Sequence, residues 1–351
     1  MSATPEKREA SITHKALTCS GFPSSFAHLS SVKTIGASRL SLARSLIALG
    51  PSHHAHHLSG PFWWSLRGVA TIYSLLSSNL KPTLGFAHQT ASQRKADAFL
   101  LGEALTHWFA QTHLGAHMVV PLEAHTGFVV PHSTTAPYPK PMPKYFRHGV
   151  KPGAKSEPDF LAFAGPGQIH VIESKGRAGF GHFGVADHVI NAARNKALRQ
   201  VCRIASVNGI PPMTRTACVF AFDQSGLTGQ ITDPPANRPY HYRAEWPDLV
   251  RQAYASVLDP LFESSARDIG GNYVGIEFMP GWKFGIDRHV YKLVRSVEDA
   301  ATMGRLLTFL SNFTSETDGV RIAEEYSAGS DGLLLIGGPD FSTKGMRGAL
   351  A

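Results

Sequence analysis

Residues 157–178, EPDFLAFAGPGQIHVIESKGRA, carry three side chains able to hold and use a hard cation. Asp159 opens one apolar run, FLAF, and Glu173 closes a second, IHVI, with Lys175 two residues further on. Mg2+ takes oxygen ligands in octahedral geometry, often two carboxylates with waters and a substrate phosphate. Side chains on a strand alternate faces, so Glu173 and Lys175 lie on one side. Ser174 points away, and its backbone carbonyl remains able to ligate. A lysine so placed stands near the bound water or scissile phosphate, where it orients the nucleophile and offsets developing charge.

The triplet is weak by itself. Among 26 acids in 351 residues, roughly one acid-x-lysine is expected by chance, and Glu173-Ser174-Lys175 is the one this chain contains. Alone it reads as a strand end with an ordinary ion pair. The flanking elements say more. SQRKADAFLLGEALTHWFAQTHLG has helical spacing, with Thr90 or Ser92 as N-cap and Gly115 as its stop. HMVVPLEAH (117–125) reads as a strand. Five prolines between 131 and 143 then forbid regular structure, which predicts a loop or flap able to gate substrate. PDFLAFAG and QIHVIESK follow as strands joined by the turn GPG. A helix is expected over 185–207, with Ile190, Ala193, Ala197, Val201 and Ile204 on one face, and TACVFAF is a buried strand ending at Asp223.

That order, together with Pro158, Asp159, Glu173 and Lys175, resembles the PD-(D/E)xK phosphodiesterase superfamily over roughly 92–223. The resemblance implies an α/β fold with a restriction-endonuclease-like core, a mixed sheet flanked by helices in the order α-β-β-β-α-β. It implies that Asp159 and Glu173 bind the metal and that Lys175 assists attack of water on a phosphodiester. Mg2+ is the expected cofactor, with Mn2+ as a substitute, and DNA is the expected partner in preference to RNA. Endonuclease action is expected over exonuclease action, with a role in restriction or anti-phage defence by analogy and a homodimer suited to cutting both strands.

Many members add a carboxylate from the helix before the core strands, and Glu103 stands there. Its helix face holds Ala96, Phe99, Leu100, His107 and Ala110, an apolar surround costly for an unpaired carboxylate. Glu103 is therefore either a third metal-site group or a partner of His107 one turn on; Glu123 is a lesser rival. Lys196, Arg199 and Arg203 line another side of the 185–207 helix, as substrate contacts or as a solvated basic face. Gln200 stands where some members carry a helix glutamine, but Ile204 replaces the companion tyrosine and no role follows.

The wider chain sets the frame. Net charge is +8, and residues 1–90 hold +6 of it, with eight Lys or Arg against Glu6 and Glu9. A basic, acid-poor region attracts polyanions; the alternatives are a solubilising surface and a transit peptide, which those two acids disfavour. Cys19, Cys202 and Cys218 are too few and scattered for a disulfide framework or zinc ribbon, and fit a reducing, cytoplasmic setting. No run of about 18 apolar residues predicts a membrane span.

The expected division is a basic helical region (1–90), a nuclease-like core (91–225) and an α+β region (226–351). Helices are expected over 32–49, 62–78, 247–263 and 297–312, with strands flanking Pro280-Gly281 and a last one at 331–338. Residues 1–30 read as irregular. Rival features remain. Gly179–Gly184, GFGHFG, matches a dinucleotide-binding fingerprint and makes a nucleotide-cofactor protein an alternative, although polar residues separate it from the apolar strand and no acid follows at the usual spacing. A non-catalytic nucleic-acid-binding or assembly protein on the same fold is another. HHAHH (53–57) is read as a solvated or phosphate-facing loop, or less readily as a metal site, and Pro339-Asp340 as a turn.

Overall fold

A computed structural model describes residues 15–50, 56–122, 128–131, 158–180, 184–234, 240–313 and 326–338. The N-terminal part contributes β1 (Lys15–Ser20), α1 (Arg39–Ala48), α2 (His56–Leu75) and α3 (Leu84–Ala87). The middle holds α4 (Ala91–His113), β2 (Met118–Pro121), β3 (Phe128–Pro131), β4 (Phe160–Gly165) and β5 (Gln168–Ala178). After these come α5 (Asp187–Val201), β6 (Ile204–Val207), β7 (Thr214–Asp223), β8 (Gly226–Thr232) and β9 (Tyr240–Arg243). The remainder runs α6 (Trp246–Ala253), α7 (Pro260–Ser265), β10 (Arg267–Gly270), β11 (Tyr273–Met279) and β12 (Trp282–Asp287). It ends with α8 (Arg288–Arg295), α9 (Ala300–Ser311), β13 (Tyr326–Ala328) and β14 (Leu333–Ile336).

The fold is α/β, with a mixed six-stranded sheet in the order β1-β8-β7-β5-β4-β2 flanked by helices. β2, β4 and β5 form an antiparallel meander, and α5 crosses over to bring β7 in parallel to β5. β7 is buried along nearly its whole length, as a central strand covered on both faces must be. The elements of this sheet and its helices follow one another as α4, β2, β4, β5, α5 and β7, with β3 and β6 intervening in the chain and pairing elsewhere. α4 starts where a capping box holds it: the Thr90 hydroxyl accepts from the Gln93 N–H while the Gln93 side chain accepts from the Thr90 N–H. It stops at Leu114, followed by Gly115 at φ +67.

Several expectations give way. Part of residues 1–30, read as irregular, forms β1, whose buried Leu17 and Cys19 alternate with exposed Ala16, Thr18 and Ser20 on the sheet edge. With β8 it carries the sheet past both expected borders, at 90 and at 225. The helix expected over 185–207 ends at Val201; Ile204–Val207 pairs instead with β9, because four apolar-rich residues suit a strand as well as a helix. β3, β9 and β6 make a separate three-stranded sheet. The 32–49 helix starts only at Arg39, behind a Ser38–Ser41 capping box. The 62–78 helix ends at Leu75. Residues expected as one helix over 247–263 form α6 and α7.

In the last third, β11 and β12 flank Pro280-Gly281 as expected, within a five-stranded antiparallel sheet. One continuous hydrophobic core runs from Leu17 to Leu335 and joins both large sheets. None of the described helices is long and apolar enough to cross a membrane.

Candidate functional site

The β4–β5 hairpin sets the spacing of the two acids. Phe160 pairs with Ile172 and Leu161 with Val171, which puts Asp159, one residue before β4, across from Glu173. The tight turn depends on Gly167, whose φ of +73 is a conformation glycine adopts without strain. The two strand ends then cap each other. The Asp159 N–H donates to Glu173 Oε2 at 3.0 Å, and the Ser174 N–H donates to Asp159 Oδ2 at 2.9 Å.

Lys175 closes the cluster. Its Nζ donates to Asp159 Oδ2 at 3.3 Å, to the Ser174 carbonyl at 2.8 Å and to Glu173 Oε1. Two carboxylates and one backbone carbonyl thus converge on a single point that holds positive charge.

Helix α4 fixes the backbone behind this point. A β-carbon on Gly176 would overlap the Ala98 carbonyl, and one on Gly102 would lie 2.9 Å from the Gly176 nitrogen. Helix and strand therefore meet backbone to backbone, which only glycine permits. One turn along, Thr106 Oγ1 donates to Ser174 Oγ at 2.9 Å. That bond satisfies the serine hydroxyl on the α4 side and leaves the opposite face of β5 to Glu173 and Lys175.

Burial divides the three groups. Glu173 is fully buried, the Lys175 side chain is 12% exposed and that of Asp159 27%, so solvent reaches the cluster past Asp159. Burial pushes the Glu173 carboxyl well above its ordinary range, and the charge of Asp159 adds to this while Lys175 opposes it. Two adjoining carboxylates, one of them desolvated, are relieved by a cation between them or by a proton on Glu173.

The other expected residues fall differently. Glu103 follows Gly102 on α4 and is half-buried. Among the described residues no three His, Cys, Asp or Glu side chains gather with metal-holding geometry, so Glu103 does not complete a three-acid set with Asp159 and Glu173. Nor does it claim His107, whose Nε2 lies 3.9 Å from Asp331 Oδ2 across a buried junction. Lys196 and Arg199 face solvent on α5, opposite its buried Ala193, Ala197 and Gln200, while Arg203 lies beyond the helix in the turn to β6. None of the three basic residues joins the Asp159 network.

At Gly179–Gly184 the first and last glycines pack on each other, and the Val185 N–H is directed at the Asp223 carboxylate, 3.5 Å away. An acid therefore stands where a dinucleotide phosphate would have to sit. Glu123, His53, His54, Pro339-Asp340 and positions 132–143 of the proline-rich stretch lie outside the described residues. A cavity of about 750 Å3 lies far along the chain, between Asn272 and His289 on one side and α9 on the other, and shares no residue with the cluster.

Two participants went unread in the sequence. Thr106 is a hydroxyl on the inward face of α4, a position that helical spacing alone marks only as buried. Arg177 extends the Glu173, Lys175 row by a further two residues, so the same period-two rule points to it. Its guanidinium is half-buried, its Nη1 donates to the Gly176 carbonyl at 2.7 Å, and burial lowers its pKa. Comparison with protein families, with characterised proteins and with solved structures yields no match to this chain.

Proposed function

We propose that this chain is a Mg2+-dependent nuclease that hydrolyses phosphodiester bonds, with DNA as the favoured substrate, on a restriction-endonuclease-like core. One observation carries the reading: Asp159 Oδ2, Glu173 Oε1 and the Ser174 carbonyl converge on one cationic point. The donors are all oxygen, and two are carboxylates, a set that suits a hard divalent ion and leaves its other positions to water and phosphate. The meander β2-β4-β5 with β7 added in parallel supports the same reading, since it is the strand arrangement this chemistry was expected to sit on.

Asp159, Glu173 and the Ser174 carbonyl would hold the ion. When bound, it supplies Lewis-acid polarisation of the phosphate and an acidified water. The chain does the rest. Lys175, on a flexible stem, gives up its position between the carboxylates and places its ammonium beside the phosphate, where it steadies charge that develops on the oxygens. Asp159, the most exposed of the three, faces the side from which substrate arrives. The buried Glu173 and the clamped backbone at Gly176 keep the donors in place with little reorganisation.

The cofactor alternative is weakened by Asp223 at the end of the glycine loop. A non-catalytic binding protein has no need of converging oxygens. The test is incubation of purified protein with DNA and RNA in Mg2+, Mn2+ or chelator, beside Lys175→Ala. Metal-dependent cleavage lost in the variant supports the reading. Identical behaviour of the two proteins, with no metal-dependent cleavage of any substrate, sinks it, and tight nicotinamide-dinucleotide binding would put the cofactor reading in its place.

A further inference from the structure

We infer that Arg177 is a substrate-binding residue that holds the backbone phosphate adjoining the one presented to Asp159, Glu173 and Lys175. The inference rests on the proposed nuclease reading and names where its substrate strand runs. Glu173, Lys175 and Arg177 occupy alternate positions of β5 and so share one face. Two residues of strand advance about 6.6 Å, a step comparable to that between successive phosphates of one nucleic-acid strand. A row of side chains on β5 thus matches a row of phosphates.

Among the described residues the guanidinium has no anion: it is half-buried, it donates to the carbonyl of its neighbour Gly176, and no described acid pairs with it. The described acids at the neighbouring strand ends are already engaged. Asp159 and Glu173 hold Lys175, and Asp223 accepts from the N–H groups of Ser225 and Val185. A partly desolvated arginine without a counter-charge is unfavourable, and a phosphate accepts its planar fork in the geometry the side chain prefers. The contact of Gly176 with Ala98 holds the strand rigid at this point, so the arginine is positioned before substrate arrives.

The test measures binding apart from cleavage. A labelled DNA oligonucleotide is titrated in chelator with Lys175→Ala and with Lys175→Ala/Arg177→Ala, at several salt concentrations. The expected result is a Kd about tenfold weaker in the double variant. The slope of log Kd against log salt should also fall by about 0.9, one phosphate contact. Arg177→Lys, in the same background, should keep the slope and lose part of the affinity. A residue that merely supports the fold would shift thermal stability and leave the slope unchanged. An unchanged slope in Lys175→Ala/Arg177→Ala overturns the inference, even where the wild type cleaves DNA and Lys175→Ala does not. Absence of metal-dependent cleavage alongside a slope lowered in Arg177→Ala overturns the nuclease reading and keeps the phosphate contact. A parent that binds neither DNA nor RNA overturns both.

Discussion

Two polar clusters in this molecule use the same kinds of side chain to opposite ends. At the β4–β5 strand ends, Asp159 and the buried Glu173 share one lysine, and Asp159 remains open to solvent. At the junction of α1, α4 and the C-terminal sheet, Arg44 contacts both carboxylate oxygens of Asp331, at 3.2 and 3.3 Å. Gln111 accepts from Arg44 at 2.6 Å and donates to Asp331 at 2.7 Å, and the Arg44 and Asp331 side chains are each only 5% exposed. The second cluster has spent its hydrogen bonds on itself and admits no ligand. The first keeps its cation on a flexible stem, with Asp159 open to solvent. Charge alone therefore does not mark a site; access and an exchangeable cation do.

The contrast can be broken from either side. The largest effect is expected at Lys175. Lys175→Ala should lower metal-dependent cleavage by about a thousandfold or more, as read in single-turnover assays per folded molecule. A comparable energy, but in stability, is expected at the junction. Asp331→Ala leaves Arg44 buried without its carboxylate and should cost about 3–5 kcal/mol in denaturant unfolding. Cleavage per folded molecule should be unchanged at low temperature, and an equal loss of turnover would erase the distinction between the clusters.

A smaller, pH-dependent effect belongs to His107. Burial holds its pKa down at about 3, against 6.5 for the free imidazole, so the folded protein keeps it neutral while the unfolded chain takes up a proton. Its contribution to stability is complete above 6.5 and is lost as pH falls from there toward 3, by about 1.4 kcal/mol per pH unit. His107→Gln should flatten that stretch of the stability profile; an unchanged profile would show that the imidazole titrates in the fold as it does in the unfolded chain. The smallest effect is expected for Thr106→Val, which removes the bond to Ser174 and should cost about 1 kcal/mol of stability, with a modest rise in the metal concentration needed for half-maximal cleavage.

Much of the cluster was legible because its geometry is local. A glycine turn and fourteen residues of chain are enough to bring Asp159 opposite Glu173, and period two puts Lys175 beside it. α4 was readable for the same reason, with Thr90 and Gly115 as its signals. Other features depended on distant partners. β1 carries two buried residues and no strong strand signature; it is a strand because β8 lies beside it. Ile204–Val207 continues the apolar spacing of α5 and leaves the helix because β9 offers it a ladder. His107 has Glu103 one turn away in sequence, yet Asp331, more than two hundred residues on, is what faces it.

The division follows from the range of the forces involved. Side-chain alternation, capping and turn strain act within a few residues, so an acid-x-lysine on a strand, a Pro-Asp before its partner and a glycine between them can be read in order along the chain. Burial, sheet edges and charge pairing depend on which segments pack together once the core closes. Folding alone could make Glu173 wholly inaccessible, leave Asp159 open, set the backbone of Gly176 against Ala98 and leave Arg177 without an acid among the described residues.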